Sequence, residues 1–102
     1  MIVFLKKNRI SGLWSHESPL LSYLHDNQMT TLFFAGVNTD QCVSSTFQDA
    51  LSKGFDFILL RDGCGTTSPS FATQCIEYNC AGGEGFIIDS EQFHKDIQTY
   101  FV

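Results

Sequence analysis

The sequence predicts an α/β fold, a parallel sheet sandwiched between helices in three layers, α-β-α. Three observations predict it. Apolar runs of strand length fall at residues 1–5, 32–37, 55–60 and 85–88. Between them lie segments whose apolar residues recur with the period of a helix burying one face. Start and stop signals separate the segments: Ser18-Pro19, Gly54, Ser68-Pro69 and Ala81-Gly82-Gly83. The order is β-α-β-α-β-α-β-α, about four strands and four helices. Strands alternating with helices build parallel sheets through crossover connections. The 102 residues, 43% hydrophobic and 17% charged, suit a single globular domain over 1–102.

The first strand, 1–5, ends at Lys6-Lys7-Asn8-Arg9, a run that by itself reads as a solvated turn. Ser18 stands at an N-cap position with Pro19 in the first turn. Leu20, Leu21 and Leu24 then form the apolar stripe of a short helix ending near Asn27. His16 and His25 flank it with no carboxylate or cysteine at ligand spacing, and read as surface residues.

The second strand, 32–37, runs into a polar turn, Asn38-Thr39-Asp40-Gln41. Cys42 opens the helix that follows, with Val43, Phe47, Ala50 and Leu51 at i, i+4, i+7 and i+8. Gly54 stops it. The third strand, 55–60, leads to the loop Arg61-Asp62-Gly63-Cys64-Gly65-Thr66-Thr67, at the same carboxyl-terminal edge of the sheet as Cys42. Ser68-Pro69 caps a third helix with Phe71, Ala72, Cys75 and Ile76 inward. The strand 85–88 precedes a last helix capped by Asp89 and Gln92, with Phe93, Ile97, Tyr100 and Phe101 on one face.

Cys42 therefore sits at a strand-to-helix elbow. The unpaired N–H groups and positive dipole end of a first helical turn favour a thiolate, and can receive a developing oxyanion. Two readings stand side by side. A nucleophile is one; a small buried hydrophobe, the usual role of a free cysteine, is the other. Asp40, two residues away, opposes a lowered thiol pKa.

The run GVNTDQCV followed by STFQDALSKGFDFILLRDG closely resembles the core of the isochorismatase-like cysteine hydrolases, which include nicotinamidases and ureidoacrylate amidohydrolases. The resemblance implies that Cys42 is the nucleophile. It implies a cis peptide at Val37–Asn38 that aims the N–H groups of Asn38 and Cys42 at the oxyanion. The segment Lys7-Asn8-Arg9-Ile10-Ser11-Gly12-Leu13 resembles the family's lysine motif, with Leu13 in place of an aromatic and Trp14 one position later. It implies that Lys7 stabilises the thiolate and the tetrahedral intermediate. Ile10 and Trp14 are the candidate substrate-pocket residues, and Trp14 reads equally as a core aromatic. The acidic position Asp62 reads more as a structural turn residue than as a catalytic acid.

The run SPSFATQCIEYNC with the later GF and EQF looks most like fungal members. The resemblance covers only the second half of the family pattern. The general acid/base Asp of its Cys-Lys-Asp triad, and the metal ligands of nicotinamidase-type members, belong to the first half. The expectation is thus a domain truncated on its N-terminal side, its sheet completed by a second chain or by a second copy in a homo-oligomer.

Composition narrows the partners. A net charge of −5 argues against nucleic acid, which leans on Lys and Arg. No apolar run approaches a membrane span, and the leading apolar patch has its charges on the wrong side for a signal peptide. The four cysteines, Cys42, Cys64, Cys75 and Cys80, form no C-x-x-C pair and no zinc pattern, so no metal and no cofactor is expected. They read as reduced thiols of a cytoplasmic protein. Three functions remain: a hydrolase acting on a C–N bond of a small molecule through a covalent cysteine adduct; a non-catalytic module that pairs with another chain; and, more weakly, a redox-reactive thiol lacking a nearby resolving cysteine.

Overall fold

A computed structural model of the chain describes residues 2–15 and 17–101, with backbone alone at Gly83, Glu84, Tyr100 and Phe101. Helix α1 spans Pro19–Asp26, followed by strand β1, Thr31–Val37. A single π-helical turn, Thr39–Val43, leads directly into α2, Ser44–Ser52. Then come β2, Asp56–Gly65, and α3, Ser70–Asn79. A second π turn, Cys80–Glu84, precedes β3, Phe86–Ile88, and α4, Ser90–Phe101.

The described residues form one three-stranded sheet in the order β1-β2-β3, parallel throughout. Thr31 to Phe34 pair with Asp56 to Leu59, and Ile58 to Leu60 pair with Phe86 to Ile88. The β1–β2 register breaks after Phe34 and resumes at Gly36 with Cys64. This bulge places the end of β2 beside the end of β1 although much of Arg61–Cys64 lies outside the ladder. The loop expected after residue 60 is therefore an extension of the strand.

The expected strand at 1–5 is not formed: residues 2–7 run without a ladder, and Phe4 is 91% exposed. One side of β1 is taken by β2, and no described strand lies along its other side. An apolar run becomes a strand only where its N–H and C=O groups find a partner.

Alternation along β1 sends Leu32, Phe34 and Gly36 to one face and Phe33, Ala35 and Val37 to the other. The first face carries the core in two adjoining clusters. Leu13, Leu21, Leu24, Ala50 and Phe55 join α1 to α2, and Val43, Phe47, Phe57, Leu59, Ile76 and Cys80 join α2 and α3 to the sheet. The Phe47 and Phe57 rings stack at 4.5 Å, and Phe34 meets both edge-on. On the opposite face Phe93 of α4 packs against Phe33, ring centroids 4.6 Å apart. Helices therefore lie on both faces of the sheet.

Caps fix the helix starts. Ser18 Oγ accepts the Leu21 N–H, and Asp89 Oδ1 accepts the Gln92 N–H at 2.7 Å. Three expected inward residues point out. Leu51 lies near the C-terminal end of α2, and Phe71, 69% exposed, and Cys75 lie on α3, which buries Ile76, with Cys80 buried in the π turn that follows. Of the last helix's expected face, Phe93 and Ile97 are half-buried, and the side chains of Tyr100 and Phe101 lie outside the described residues, as does His16.

Candidate active site

The carboxyl end of β1 is built for an abrupt change of direction. Gly36 has φ +139°, a conformation open to glycine, and the next peptide, Val37–Asn38, is cis. The chain then enters the π turn. The Val43 N–H donates to the Asn38 carbonyl at 3.2 Å, and the Ser44 N–H reaches the Thr39 carbonyl. This wider turn, in place of a regular first α-turn, holds Cys42 half-buried between a buried Thr39 and a buried Val43.

A hydroxyl clamp from the loop after β2 grips this turn. Thr66 donates its proton to Asp40 Oδ1 at 2.6 Å, and Ser68 donates to Asp40 Oδ2 at 2.7 Å. The Thr66 oxygen also accepts the Asn38 side-chain amide at 3.3 Å and the Ser68 N–H at 3.2 Å. One hydroxyl thus uses its single proton and its lone pairs to tie the turn after β1 to the loop after β2. The Thr66 and Ser68 hydroxyls hold the Asp40 carboxyl below its ordinary value, so this residue stands as a carboxylate.

Ser68 was expected as the cap of α3; its hydroxyl goes instead to Asp40, and the residue before α3 is Pro69, with no side-chain cap. Asp62 serves another helix. It accepts the Ser90 N–H at 2.8 Å and the Ser90 hydroxyl, which together lower its pKa and fix the start of α4. Its carboxylate is occupied in structure, in line with its reading as a turn residue. Burial raises the Cys64 thiol above its ordinary value, which sets it apart from a reactive thiolate.

Lys7 lies on the exposed segment before α1, and its ammonium donates to the Arg9 carbonyl at 2.8 Å. Lys7, Gly12 and Thr46 line one cavity, which Cys42 does not reach. A hydrogen-bonded path nevertheless joins the two. The Gly12 N–H donates to Thr46 Oγ1 at 3.0 Å, and the Thr46 hydroxyl donates to the Cys42 carbonyl at 2.7 Å. Ile10 is 61% exposed and Trp14 half-buried, while their neighbour Leu13 is wholly buried in the core.

Val37, Asn38 and Cys42 are therefore contiguous in one turn, and Lys7, Ile10 and Trp14 belong to a separate segment anchored on α2. Thr46, Thr66 and Ser68 were not singled out as site residues from sequence. The signals available were the i+4 spacing of Thr46 from Cys42, and two hydroxyls on a loop at the same sheet edge as Asp40. Among the described residues no three His, Cys, Asp or Glu side chains gather as a metal site. No helix among them is long and apolar enough to cross a membrane.

Fold and site define a parallel α/β domain with a cysteine at the elbow between its edge strand and the following helix. Residues 2–91 match the isochorismatase domain, and the chain belongs to that family. It is 33% identical over 91 residues to ureidoacrylate amidohydrolase RutB of Klebsiella pneumoniae subsp. pneumoniae, a match covering 89% of this chain and 38% of that protein. An isochorismatase-like hydrolase from Alkaliphilus metalliredigens superposes with a TM-score of 0.79 at 25% identity, over 90% of this chain and 48% of the other. Nicotinamidase PncA from Bacillus subtilis does so with a TM-score of 0.75 at 26% identity, over 84% and 46%. The chain thus spans less than half the length of each of these relatives.

Proposed function

We propose that this chain carries the nucleophile of a cysteine hydrolase that cleaves a C–N bond of a small amide. The carrying observation is the position of Cys42 in the π turn at the carboxyl end of β1, with the Asp40–Thr66–Ser68 clamp holding the turn. Membership in a family whose relatives include an amidohydrolase and a nicotinamidase supports the reaction class.

The Cys42 thiolate attacks the amide carbonyl carbon, and the carbonyl electron pair moves onto oxygen. The N–H groups of Asn38 and Cys42 receive that oxyanion. Collapse expels the amine, which takes a proton from a carboxylic acid supplied by residues outside this span. Water then hydrolyses the thioester, returning the thiolate and releasing the acid. Lys7 supplies positive charge beside the sulfur and the intermediate; this requires its ammonium to leave the Arg9 carbonyl. Ile10 and Trp14 border the substrate.

A second reading is favoured by one observation: Ile2 and Phe4 are largely exposed, and no described strand pairs with the outer edge of β1. Such an edge invites a further strand from another chain or a second copy. In that reading the chain is a pairing module, and the two readings are compatible if the pairing chain also brings the missing carboxylate.

The test is intact mass of the native assembly with primary amides and ureido acids, together with ammonia release. A thioester adduct on Cys42, lost in Cys42→Ser, is the expected result. Ammonia release that persists in Cys42→Ser, or no adduct and no release in an assembly containing every chain that co-purifies, overturns the hydrolase reading.

A further inference from the structure

We infer that Thr46 is a positioning residue that couples the Lys7 segment to the turn bearing Cys42. The inference rests on the reading of Cys42 and Lys7 given above.

A threonine hydroxyl bonded to the carbonyl four residues earlier is common in helices, and alone would mean little. The Thr46 hydroxyl makes that bond, to the Cys42 carbonyl at 2.7 Å. Its oxygen also accepts the Gly12 N–H at 3.0 Å, from a residue 34 positions away in sequence. The donor's segment begins with Lys7. Thr46 is nearly buried, so a hydroxyl unmatched there would carry a full desolvation cost. The two bonds use the one proton and a lone pair of the same oxygen, so neither is replaced by the other.

Packing reinforces the link. A Cβ on Gly12 would lie 3.3 Å from Leu20, 3.6 Å from the Thr46 methyl and 3.9 Å from the Lys7 Cδ. The Lys7 stem, Gly12 and Thr46 therefore form one contact group. Residues 2–7 belong to no helix or strand, and the Gly12–Thr46 bond lies five residues from Lys7. Without that bond the stem of Lys7 loses a fixed support, and the swing of its ammonium from the Arg9 carbonyl toward Cys42, which its proposed role requires, has no fixed starting point. Thr46 touches neither substrate nor sulfur in this scheme; it sets where Lys7 begins.

The experiment is a double-mutant cycle on the native assembly, read as the rate of Cys42 alkylation by iodoacetamide at neutral pH. The reagent is uncharged, so steering by Lys7 does not contribute. Peptide mapping separates Cys42 from the exposed Cys75, whose rate is the internal reference. Lys7→Met is expected to slow Cys42. Thr46→Val is expected to lose most of the same rate, and the double variant to lose no more than Lys7→Met alone. Thr46→Ser, which keeps the hydroxyl, is expected to restore the native rate. Thr46→Ala replaces the valine variant if circular dichroism shows the latter unfolded.

A Thr46 variant that reacts at the native rate while Lys7→Met is slow overturns the coupling and leaves the Lys7 assignment intact. Losses that add in the double variant do the same, since independent sites add. A native rate in Lys7→Met overturns the Lys7 assignment itself, and the Thr46 inference with it.

Discussion

Asp40 is the residue on which the local electrostatics turn. Close to Cys42, its negative charge would oppose a second anion. The Thr66 and Ser68 hydroxyls spend their protons on its two oxygens and so draw that charge toward the β2 loop. A carboxyl whose folded pKa lies below its ordinary value of 3.8 adds stability above that value, and the contribution fades as pH falls through the lower folded value. The Asp40→Asn variant is therefore expected to melt below the native protein at neutral pH, with the gap closing under acid conditions below 3.8. Thermal melts in a pH series check this, and a gap that persists in acid would show that the hydrogen bonds, not the charge, matter. Asp62 is also lowered, so Asp62→Asn serves as a second series with its own gap. The strand-to-helix elbow that carries Asn38 and Cys42 was legible in the sequence because its residues are contiguous. The Thr66–Asp40 bond spans 26 positions, and nothing in local spacing signals which hydroxyl will meet which carboxylate.

At the scale of elements, periodicity located the four α-helices of the described residues but not the two π turns, because an α-helix shows its buried face in its own sequence. It overreached where a helix covers the sheet with only part of its length. Phe71 and Cys75 share the period of Ile76 and yet are exposed, since burial is confined to Ile76 and to Cys80 in the π turn beyond α3. Periodicity also could not show that Gly85 owes its identity to a ring. A Cβ there would lie 2.6 Å from Phe57 Cζ and under 3 Å from both ε carbons. Phe57 is buried and stacked on Phe47, so it has no room to swing aside. Gly85→Ala is expected to destabilise the fold by about 1–3 kcal/mol, the usual cost of overpacking a filled core. Urea unfolding checks it, and Phe57→Leu combined with Gly85→Ala should recover part of the loss. A neutral Gly85→Ala would mean that β3 shifts freely against β2.

The whole molecule has one feature that its parts do not explain. The core face of the sheet is filled, and α4 covers part of the other, yet Val37 is 70% exposed at the end of β1 and Phe4 is 91% exposed on the segment that follows no ladder. Exposed long apolar side chains and an unpaired strand edge are both association surfaces, and natural edges are usually blunted by charge, by proline or by cover. The relatives that match this chain extend well beyond the matched span. This also explains why the first strand was misjudged: its hydrophobicity was legible, but a strand is a property of two segments, and the sequence shows only one. The chain at micromolar concentration is thus expected to run above the 11.4 kDa of a single copy, and to move toward it on dilution. Ile2→Lys with Phe4→Lys should give the monomer mass at every concentration and leave that monomer folded, because neither side chain belongs to the core clusters. Light scattering and sedimentation equilibrium separate the outcomes. An 11.4 kDa species at all concentrations for the native chain would reject self-pairing.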